Sequence, residues 1–219
     1  MTSLRLGIDE AGRGCVLGPM VFGACLVRAD EEARLRTMGA RDSKRLSAAR
    51  RKSLRRQLED TVLAWRTVSV TAEAIDNQSL NELGKIAIVD LVVELRPDEV
   101  VVDAPVPPRG IPAYAADLQA RLAARGVGEV RIVAENKADD NHPCCSAASI
   151  FAKTTRDLAI AHLCESSGVD LGSGYPGDPR TRAFLEQTWQ REQSFPPWVR
   201  TKWETVQRIV AASSQGRLF

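Results

Sequence analysis

Carboxylates that follow apolar runs are the residues of this sequence best suited to chemistry. Five of them come at or just after β-favouring segments: Asp9, Glu10, Asp103, Asp139 and Asp140. A buried carboxylate costs several kcal/mol unless it is paired or bound to a metal. Because strand ends of an open α/β sheet meet at one edge, these acids could converge on a cation. The alternative is that the strands end there and the acids lie in water.

Four convergent carboxylates would carry a charge of −4, which two divalent cations would balance. With only two histidines in the chain, oxygen ligation indicates Mg²⁺ or Mn²⁺ rather than zinc. Two such ions roughly 4 Å apart form the clamp used for in-line displacement at phosphorus. Consecutive strand residues face opposite ways, so Asp9 and Glu10 share a site only if the backbone bends. Gly12 and Gly14 would allow that bend.

The elements that must position these acids follow from the apolar periodicity. Strands are predicted from Leu4, over Gly18–Val27 (paired with the first as a hairpin), and over 62–71, 99–103 and 129–134. Helices are predicted over 31–38, 47–59, 80–95, 114–125, 142–165, 178–191 and from 198 or 199 to 212. The polar segment 135–141 follows the last strand. This order indicates an α/β sheet core with an all-helical C-terminal extension.

Composition places the chain among ordinary globular proteins. It has 219 residues, 44% hydrophobic and 26% charged, with no apolar run of membrane-spanning length. The absence of a basic-then-apolar leader predicts a cytoplasmic location. The odd cysteine count without a CxxC pair predicts reduced, mostly buried thiols. The cysteines are Cys15, Cys25, Cys144, Cys145 and Cys164.

The charge is unevenly distributed although the net charge is only +2. The segment Arg41–Arg66 contains nine Lys or Arg residues against three Asp or Glu residues. Such a basic patch on a near-neutral protein indicates a local contact with a polyanion. The alternative is a solvated helix face.

Several motifs in chain order resemble those of ribonuclease HII, the type 2 ribonuclease H, in its archaeal-type form. They are Gly7-Ile8-Asp9-Glu10-Ala11-Gly12-Arg13-Gly14 with Gly18-Pro19, Asp42-Ser43-Lys44, Val102-Asp103-Ala104, Lys137-Ala138-Asp139, the run from Ser146 to Asp157, and Gly172-Ser173-Gly174-Tyr175-Pro176. The resemblance as a whole extends from residue 4 to about 205. The resemblance implies a ribonuclease H-like α/β fold with a mixed central sheet flanked by helices.

The resemblance also implies an activity and the residues that perform it. The expected activity is endonucleolytic cleavage of RNA in RNA–DNA hybrids and at single ribonucleotides in duplex DNA. Cutting would fall 5′ of the ribonucleotide and leave 3′-hydroxyl and 5′-phosphate ends. Asp9, Glu10, Asp103 and Asp139 would be the catalytic acids that bind two Mg²⁺ or Mn²⁺ ions, with Asp140 outside the site.

Substrate contacts are implied at a second set of positions. Gly12, Arg13, Gly14 and Tyr175 would recognise the junction between the ribonucleotide and the DNA that follows it. Glycines let the backbone approach a ribose 2′-hydroxyl, and an aromatic ring can stack on a deoxyribose. Lys44, Asn81, Ser146, Ser149, Lys153 and Arg156 would contact the substrate backbone or support the site. His142 could protonate a leaving group or be structural.

The sequence departs from the family pattern at Cys15, where the family usually has proline. Since proline fixes φ, the loop is expected to be slightly less rigid here.

Residues 1–166 are predicted as the catalytic domain and 167–219 as a helical region packed on it. The expected state is a monomer. The end Gln215–Phe219 partly resembles a sliding-clamp-binding motif but lacks its final aromatic positions.

Three other functions compete with this assignment. Ribonuclease HIII has glutamate as its fourth acid where Asp139 stands. A nuclease of the same fold that acts on DNA alone would cleave all-DNA duplex. A binding module that uses the basic segment would need no convergent acids, so an Asp139→Asn substitution would leave its function intact.

Overall fold

The computed structural model describes residues 2–40 and 46–215. In that part of the chain, five strands form one sheet in the order β3-β2-β1-β4-β5. The strands are β1 (Leu4–Ala11), β2 (Met20–Arg28), β3 (Ala64–Val70), β4 (Glu99–Asp103) and β5 (Arg131–Glu135). β1 is antiparallel to β2 and parallel to β4, and β4 is parallel to β5. The predicted hairpin and mixed sheet are therefore confirmed.

The helices largely follow the predicted segments. They are α1 (Glu32–Thr37), α2 (Ala48–Glu59), α3 (Ala72–Asn77), α4 (Leu80–Leu95), α5 (Ile111–Ala124), α6 (Ala138–Asn141), α7 (Pro143–Ser167), α8 (Pro179–Glu192) and α9 (Glu204–Gln215). Ser47 and Asp178 cap α2 and α8 by accepting backbone N–H groups, as their side chains predict. No helix in the described residues is both long and apolar enough to cross a membrane.

One short helix was not predicted, and one helix start is wrong. The segment 135–141 contains the short helix α6, which begins after Lys137 adopts a left-handed conformation at φ 59°. The last helix begins at Glu204 rather than at 198 or 199. Backbone groups before it bond outside any helix, because Trp198 O accepts from Gly18 N at 2.8 Å and Arg200 N donates to Val16 O at 2.9 Å.

The chain forms two compact units that interleave along the sequence. The sheet unit comprises Met1–Ala11, Val21–Val68 and Gly84–Thr155. The loop unit comprises Gly12–Met20, Ser69–Leu83 and Arg156–Phe219. The division into domains at residue 166 remains a prediction, since these units are not consecutive segments.

Each unit has its own apolar core. In the sheet unit, α7 residues such as Phe151 pack with residues of β2 and α2 such as Cys25 and Leu54. In the loop unit, Val16 and Leu17 pack with residues of α8 and α9. The five cysteines are free and four of them are buried, which confirms the expectation of mostly buried cysteines.

The described part of the basic segment is partly engaged within the protein. The Arg55 guanidinium lies 4.8 Å from the centre of the Trp65 ring and pairs with Glu59 at 2.8 Å. Its Nη1 also donates to the hydroxyls of Thr154 and Thr155. Three other bases are exposed on α2, namely Arg50, Lys52 and Arg56. A polyanion contact at these exposed bases stays a prediction.

Candidate active site

Three of the predicted acids lie at one edge of the sheet. Asp9 is near the end of β1 and Asp103 ends the parallel strand β4. The register pairs Ile8 with Val102, so its continuation places Asp9 beside Asp103. Asp139 follows β5 on the short helix α6. We call Asp9, Asp103 and Asp139 the acid edge.

Two strand glycines let helix α7 lie directly on the sheet behind the acid edge. A Cβ atom at Gly7 would lie 2.2 Å from the backbone carbon of Cys144. A Cβ atom at Gly23 would lie 2.2 Å from the carbonyl oxygen of Ala148. Glycine in a strand is typical of such close backbone approach. The first half of α7 is thereby fixed against β1 and β2.

Asp9 is a carboxylate in an unfavourable environment. Its side chain is only 8% exposed, and burial raises its pKa to about 6. Hydrogen bonds from the Ser149 hydroxyl and the Glu10 backbone lower the pKa again, whereas the negative charges of Asp139 and Asp103 raise it. The three acids are therefore close enough to repel one another, which is the condition that a divalent cation relieves.

The donor chemistry of the acid edge fits a hard divalent cation. Carboxylate oxygens are the ligands that Mg²⁺ and Mn²⁺ prefer. Asp139 is buried, and its Oδ1 atom accepts no hydrogen bond from the described residues. Oδ1 of Asp103 accepts a hydrogen bond from Lys137 N at 2.7 Å. Within residues 2–40 and 46–215, no three His, Cys, Asp or Glu side chains are grouped closely enough to enclose an ion as they stand.

Glu10 follows Asp9 within the regular part of β1. β1 stays paired with β2 through Glu10 opposite Phe22 and Ala11 opposite Val21. The chain turns at Gly12, whose φ is 84°, after both acids. The bend that would bring both acids to one site stays a prediction. Neighbouring residues of a regular strand face opposite sides, and Glu10 is half-buried. Its role as a ligand stays a prediction.

Two predicted substrate residues on α7 support the acid edge. Ser146 and Ser149 are 4% and 0% exposed, so neither side chain presents itself at the surface. The Ser146 hydroxyl donates to the carbonyl oxygen of Asp139, while Ser149 donates to the Asp9 carboxylate. Lys153 on the same helix is half-buried, and its substrate contact stays a prediction.

Glu135 is a residue near the acids that the sequence reasoning missed. It ends β5 opposite Asp103 in the parallel ladder. Its Oε1 lies 3.0 Å from His142 Nε2 and also accepts from Asn141 Nδ2 at 3.0 Å. The available signal was its position at the end of a parallel strand. Asp140 is exposed, and its expected place outside the site stays a prediction.

The glycine loop, Gly12–Gly18, lies against the tyrosine segment within the loop unit. Gly174 O accepts hydrogen bonds from Val16 N at 2.8 Å and Leu17 N at 3.2 Å. Tyr175, next in the chain, remains 42% exposed. The glycine loop and the segment that contains Tyr175 are thus brought together.

Glycine is required at the start of the loop and leaves space further along it. At Gly12, with φ 84°, a Cβ atom would lie 2.9 Å from Pro19 O and 3.3 Å from the Arg156 side chain. Gly14 is exposed, and a Cβ atom there would have nothing within 4 Å. Backbone at Gly14 can therefore be approached by another molecule.

Two predicted arginines hold the surroundings of the loop. Arg156 is 6% exposed, and its guanidinium lies 5.0 Å from the centre of the Tyr175 ring while donating to Ser173 O. This burial assigns it to support of Tyr175 in this structure. The Arg13 guanidinium donates to Oδ1 of Asn81, which brings two predicted residues together. Lys44 lies outside the described residues.

Cys15 makes contacts that a proline at this position could not make. Its backbone N donates to Gly12 O at 3.3 Å, and proline has no N–H. Its thiol and the Tyr175 hydroxyl are hydrogen-bonded, and burial raises the pKa of the thiol. The loop therefore has a hydrogen bond where the family usually has a fixed φ.

Comparisons with known proteins indicate one family. A family model described as ribonuclease HII matches residues 6–206. Ribonuclease HII of Pyrococcus furiosus is 40% identical over 209 residues, which cover 93% of this chain and 89% of that protein. The crystal structure of ribonuclease H2 from Pyrococcus horikoshii superposes with a TM-score of 0.87 at 38% identity, covering 97% and 99% of the two chains. The structure of the PCNA:RNase HII complex from Archaeoglobus fulgidus gives 0.82 at 35% identity, covering 92% and 95%.

The fold and the acid edge define a nuclease with a ribonuclease H-like fold. Within that class the chain belongs to the ribonuclease HII family. It is accordingly a ribonuclease H hydrolase, an endoribonuclease that acts on RNA–DNA hybrids. The alternative assignment to ribonuclease HIII is set aside, because the matching family model and the relatives above are ribonuclease HII.

Proposed function

We propose that the protein also cleaves at single ribonucleotides within duplex DNA. The cut falls on the 5′ side of the ribonucleotide and leaves 3′-hydroxyl and 5′-phosphate ends. The observation that carries this proposal is the hydrogen bonding of Val16 and Leu17 to Gly174, which joins the glycine loop to the segment of Tyr175. A loop with accessible backbone beside an exposed ring suits recognition of one sugar and its neighbour.

The hydrolysis itself is assigned to the acids. Asp9, Glu10, Asp103 and Asp139 would hold two Mg²⁺ or Mn²⁺ ions, which when bound supply activation of water and stabilisation of the leaving oxygen. The chain itself fixes the orientation of the carboxylate groups. Ser149 orients Asp9 and the Lys137 N–H orients Asp103.

Selectivity is assigned to the glycine loop and Tyr175. A ribose 2′-hydroxyl is what distinguishes RNA from DNA at one position, and it can donate and accept hydrogen bonds. Exposed backbone at Gly14 can approach it without steric hindrance from a side chain. The Tyr175 ring, backed by the Arg156 guanidinium, would stack on the following deoxyribose, where a second 2′-hydroxyl would clash.

A cleavage assay with three duplexes tests this proposal. One duplex carries a single ribonucleotide, one is an RNA–DNA hybrid and one is all DNA, each incubated with Mg²⁺, with Mn²⁺ or with EDTA. We expect a single cut 5′ of the ribonucleotide, cleavage of the hybrid, no cleavage of DNA and no reaction in EDTA. Cleavage of the all-DNA duplex would favour a DNA nuclease. Unchanged function of the Asp139→Asn variant would favour a binding module.

A partner and a cellular setting are also part of the proposal. Ribonuclease HII of A. fulgidus has been solved in a complex with PCNA, and we propose that this chain can bind a sliding clamp. The segment Gln215–Phe219, which partly resembles a clamp-binding motif, lies almost entirely outside the described residues. A monomeric state and a cytoplasmic location remain predictions from the sequence.

A further inference from the structure

Arg200 is a fully buried cation outside every motif singled out in the sequence. It lies between α8 and α9, is 0% exposed and is the largest of the fully buried side chains in the described residues. Burial lowers its pKa to about 10, so the guanidinium stays charged at neutral pH. An apolar side chain of similar volume often stabilises a core as well as a buried charge does. The hydrogen bonds that the guanidinium donates are therefore what distinguishes Arg200 from such a side chain.

The side chain of Arg200 bonds to the backbone at both ends of the glycine loop. Nη1 donates to Arg13 O at 3.0 Å. Nε and Nη2 both donate to Gly18 O, at 3.2 and 3.1 Å. The other side of the guanidinium faces the Trp203 ring, whose centre is 5.3 Å away. The rigid fork of N–H donors thus joins two carbonyl groups five residues apart.

Fixing the Arg13 carbonyl also fixes the direction of the next N–H group. A trans peptide is planar, so its carbonyl and the following N–H point in opposite directions. The Arg13 carbonyl points at Arg200, and the N–H of Gly14 is therefore turned away from Arg200. Because Gly14 is exposed, the peptide plane that Arg200 holds is one that a substrate can approach.

We propose that Arg200 is the positioning residue that sets the backbone of the glycine loop for recognition of the ribonucleotide. The purpose of this role rests on the proposed function. The loop geometry itself can be measured whether or not the protein cleaves at single ribonucleotides. Arg200 acts through the Arg13 and Gly18 carbonyls and does not itself contact substrate. Lysine would keep the charge, but as a point donor it cannot reproduce the bonds to both carbonyls.

Hydrogen exchange of the purified full chain tests the positioning directly. In Arg200→Lys, we expect the hydrogen-bonded amides of residues 15–18 to exchange about tenfold faster or more, since lost hydrogen bonds to two carbonyls free the loop. Exchange in α8 and in β4 should stay within about twofold of the wild type. The matched control is Arg208→Lys, which alters an exposed arginine on α9 and should leave the loop unchanged.

A merely structural role predicts a different pattern. If Arg200 only stabilises the core of the loop unit, exchange in α8 will rise together with exchange in the loop, and the proposal is overturned. An unchanged loop would overturn it equally. Should Arg200→Lys fail to fold, Trp203→Leu retains Arg200 without its supporting ring, and the same loop amides should exchange about threefold faster.

Kinetics connect the loop to specificity. For Arg200→Lys, we expect kcat/KM on the single-ribonucleotide duplex to fall about tenfold or more, against less than about threefold on a long hybrid. Equal losses would overturn the link to ribonucleotide recognition. If the wild type does not cut the single-ribonucleotide duplex, the proposed function fails, and the exchange measurement still decides whether Arg200 positions the loop.

Discussion

The acid edge and the glycine loop differ in the chemical groups that they present. The acid edge consists of negatively charged side chains on strand ends and on a short helix. The glycine loop presents backbone, and the buried cations Arg156 and Arg200 hold its surroundings. Hydrolysis needs particular side chains, so its residues stand out in a sequence. Recognition through backbone depends on whatever fixes that backbone, which can lie far along the chain.

Removing one carboxylate from the acid edge should have the largest effect. We expect Asp9→Asn or Asp103→Asn to lower the cleavage rate about 10³-fold or more, because a neutral amide cannot hold a divalent cation in place of a carboxylate. Binding to an RNA–DNA hybrid should remain measurable. Single-turnover cleavage and fluorescence anisotropy would check both.

The control for this prediction is Asp140→Asn, since Asp140 is the exposed neighbour of Asp139. That variant should retain near wild-type rates. Unchanged turnover in either acid-edge variant would defeat the assignment of hydrolysis to these residues.

Asp9 should also have a smaller effect on the free energy of unfolding. The sign of this effect is set by the pKa of the Asp9 carboxyl group. The pKa of Asp9 is raised by burial to about 6 from an ordinary value of 3.8. Stability associated with the protonated form is present below about pH 4 and is lost as the pH rises through about 6. In EDTA at about pH 7.5, Asp9→Asn should therefore stabilise the fold by about 2–3 kcal/mol, and below about pH 4 the gain should vanish.

Thermal or urea unfolding at the two pH values measures this effect. Asp140→Asn serves again as the exposed control. A destabilised Asp9→Asn variant at about pH 7.5 in EDTA would show that the carboxylate contributes more through its hydrogen bonds than it costs by burial.

A substitution at Tyr175, beside the glycine loop, should change the selectivity between substrates and should not abolish hydrolysis. Tyr175→Ala should lower kcat/KM on a single-ribonucleotide duplex about tenfold, which corresponds to one lost stacking contact. Long hybrids should lose less than about threefold, because they offer many cleavage positions. Tyr175→Phe keeps the ring but removes the hydrogen bond to Cys15, and it should act close to wild type. An equal loss on both substrates would remove Tyr175 from junction recognition.

The predictable part of the molecule is the part with strong local signals. Asp9 and Asp103 follow apolar runs, and parallel strands with such endings bring their acids to one edge. The caps Ser47 and Asp178 begin their helices as their side chains predict.

The unpredicted features depend on contacts between distant segments. The turn at Gly12 follows both acids because β2 pairs with β1 through Ala11. Nothing local indicates that Lys137 adopts a left-handed conformation and starts α6. A charged residue such as Arg200 is expected at the surface, and its burial depends on carbonyls more than 180 residues earlier in the chain.

Two duplexes that differ by one 2′-hydroxyl provide the most direct test of the central claim, that acids cut and the glycine loop selects. The measurement is the ratio of the wild-type cleavage rates for the single-ribonucleotide duplex and its all-DNA counterpart in Mg²⁺. A site built to bind a hydroxyl discriminates against its absence by about 10⁴-fold, and we expect a ratio of that order with the cut 5′ of the ribonucleotide. Comparable rates on the two duplexes would contradict the account.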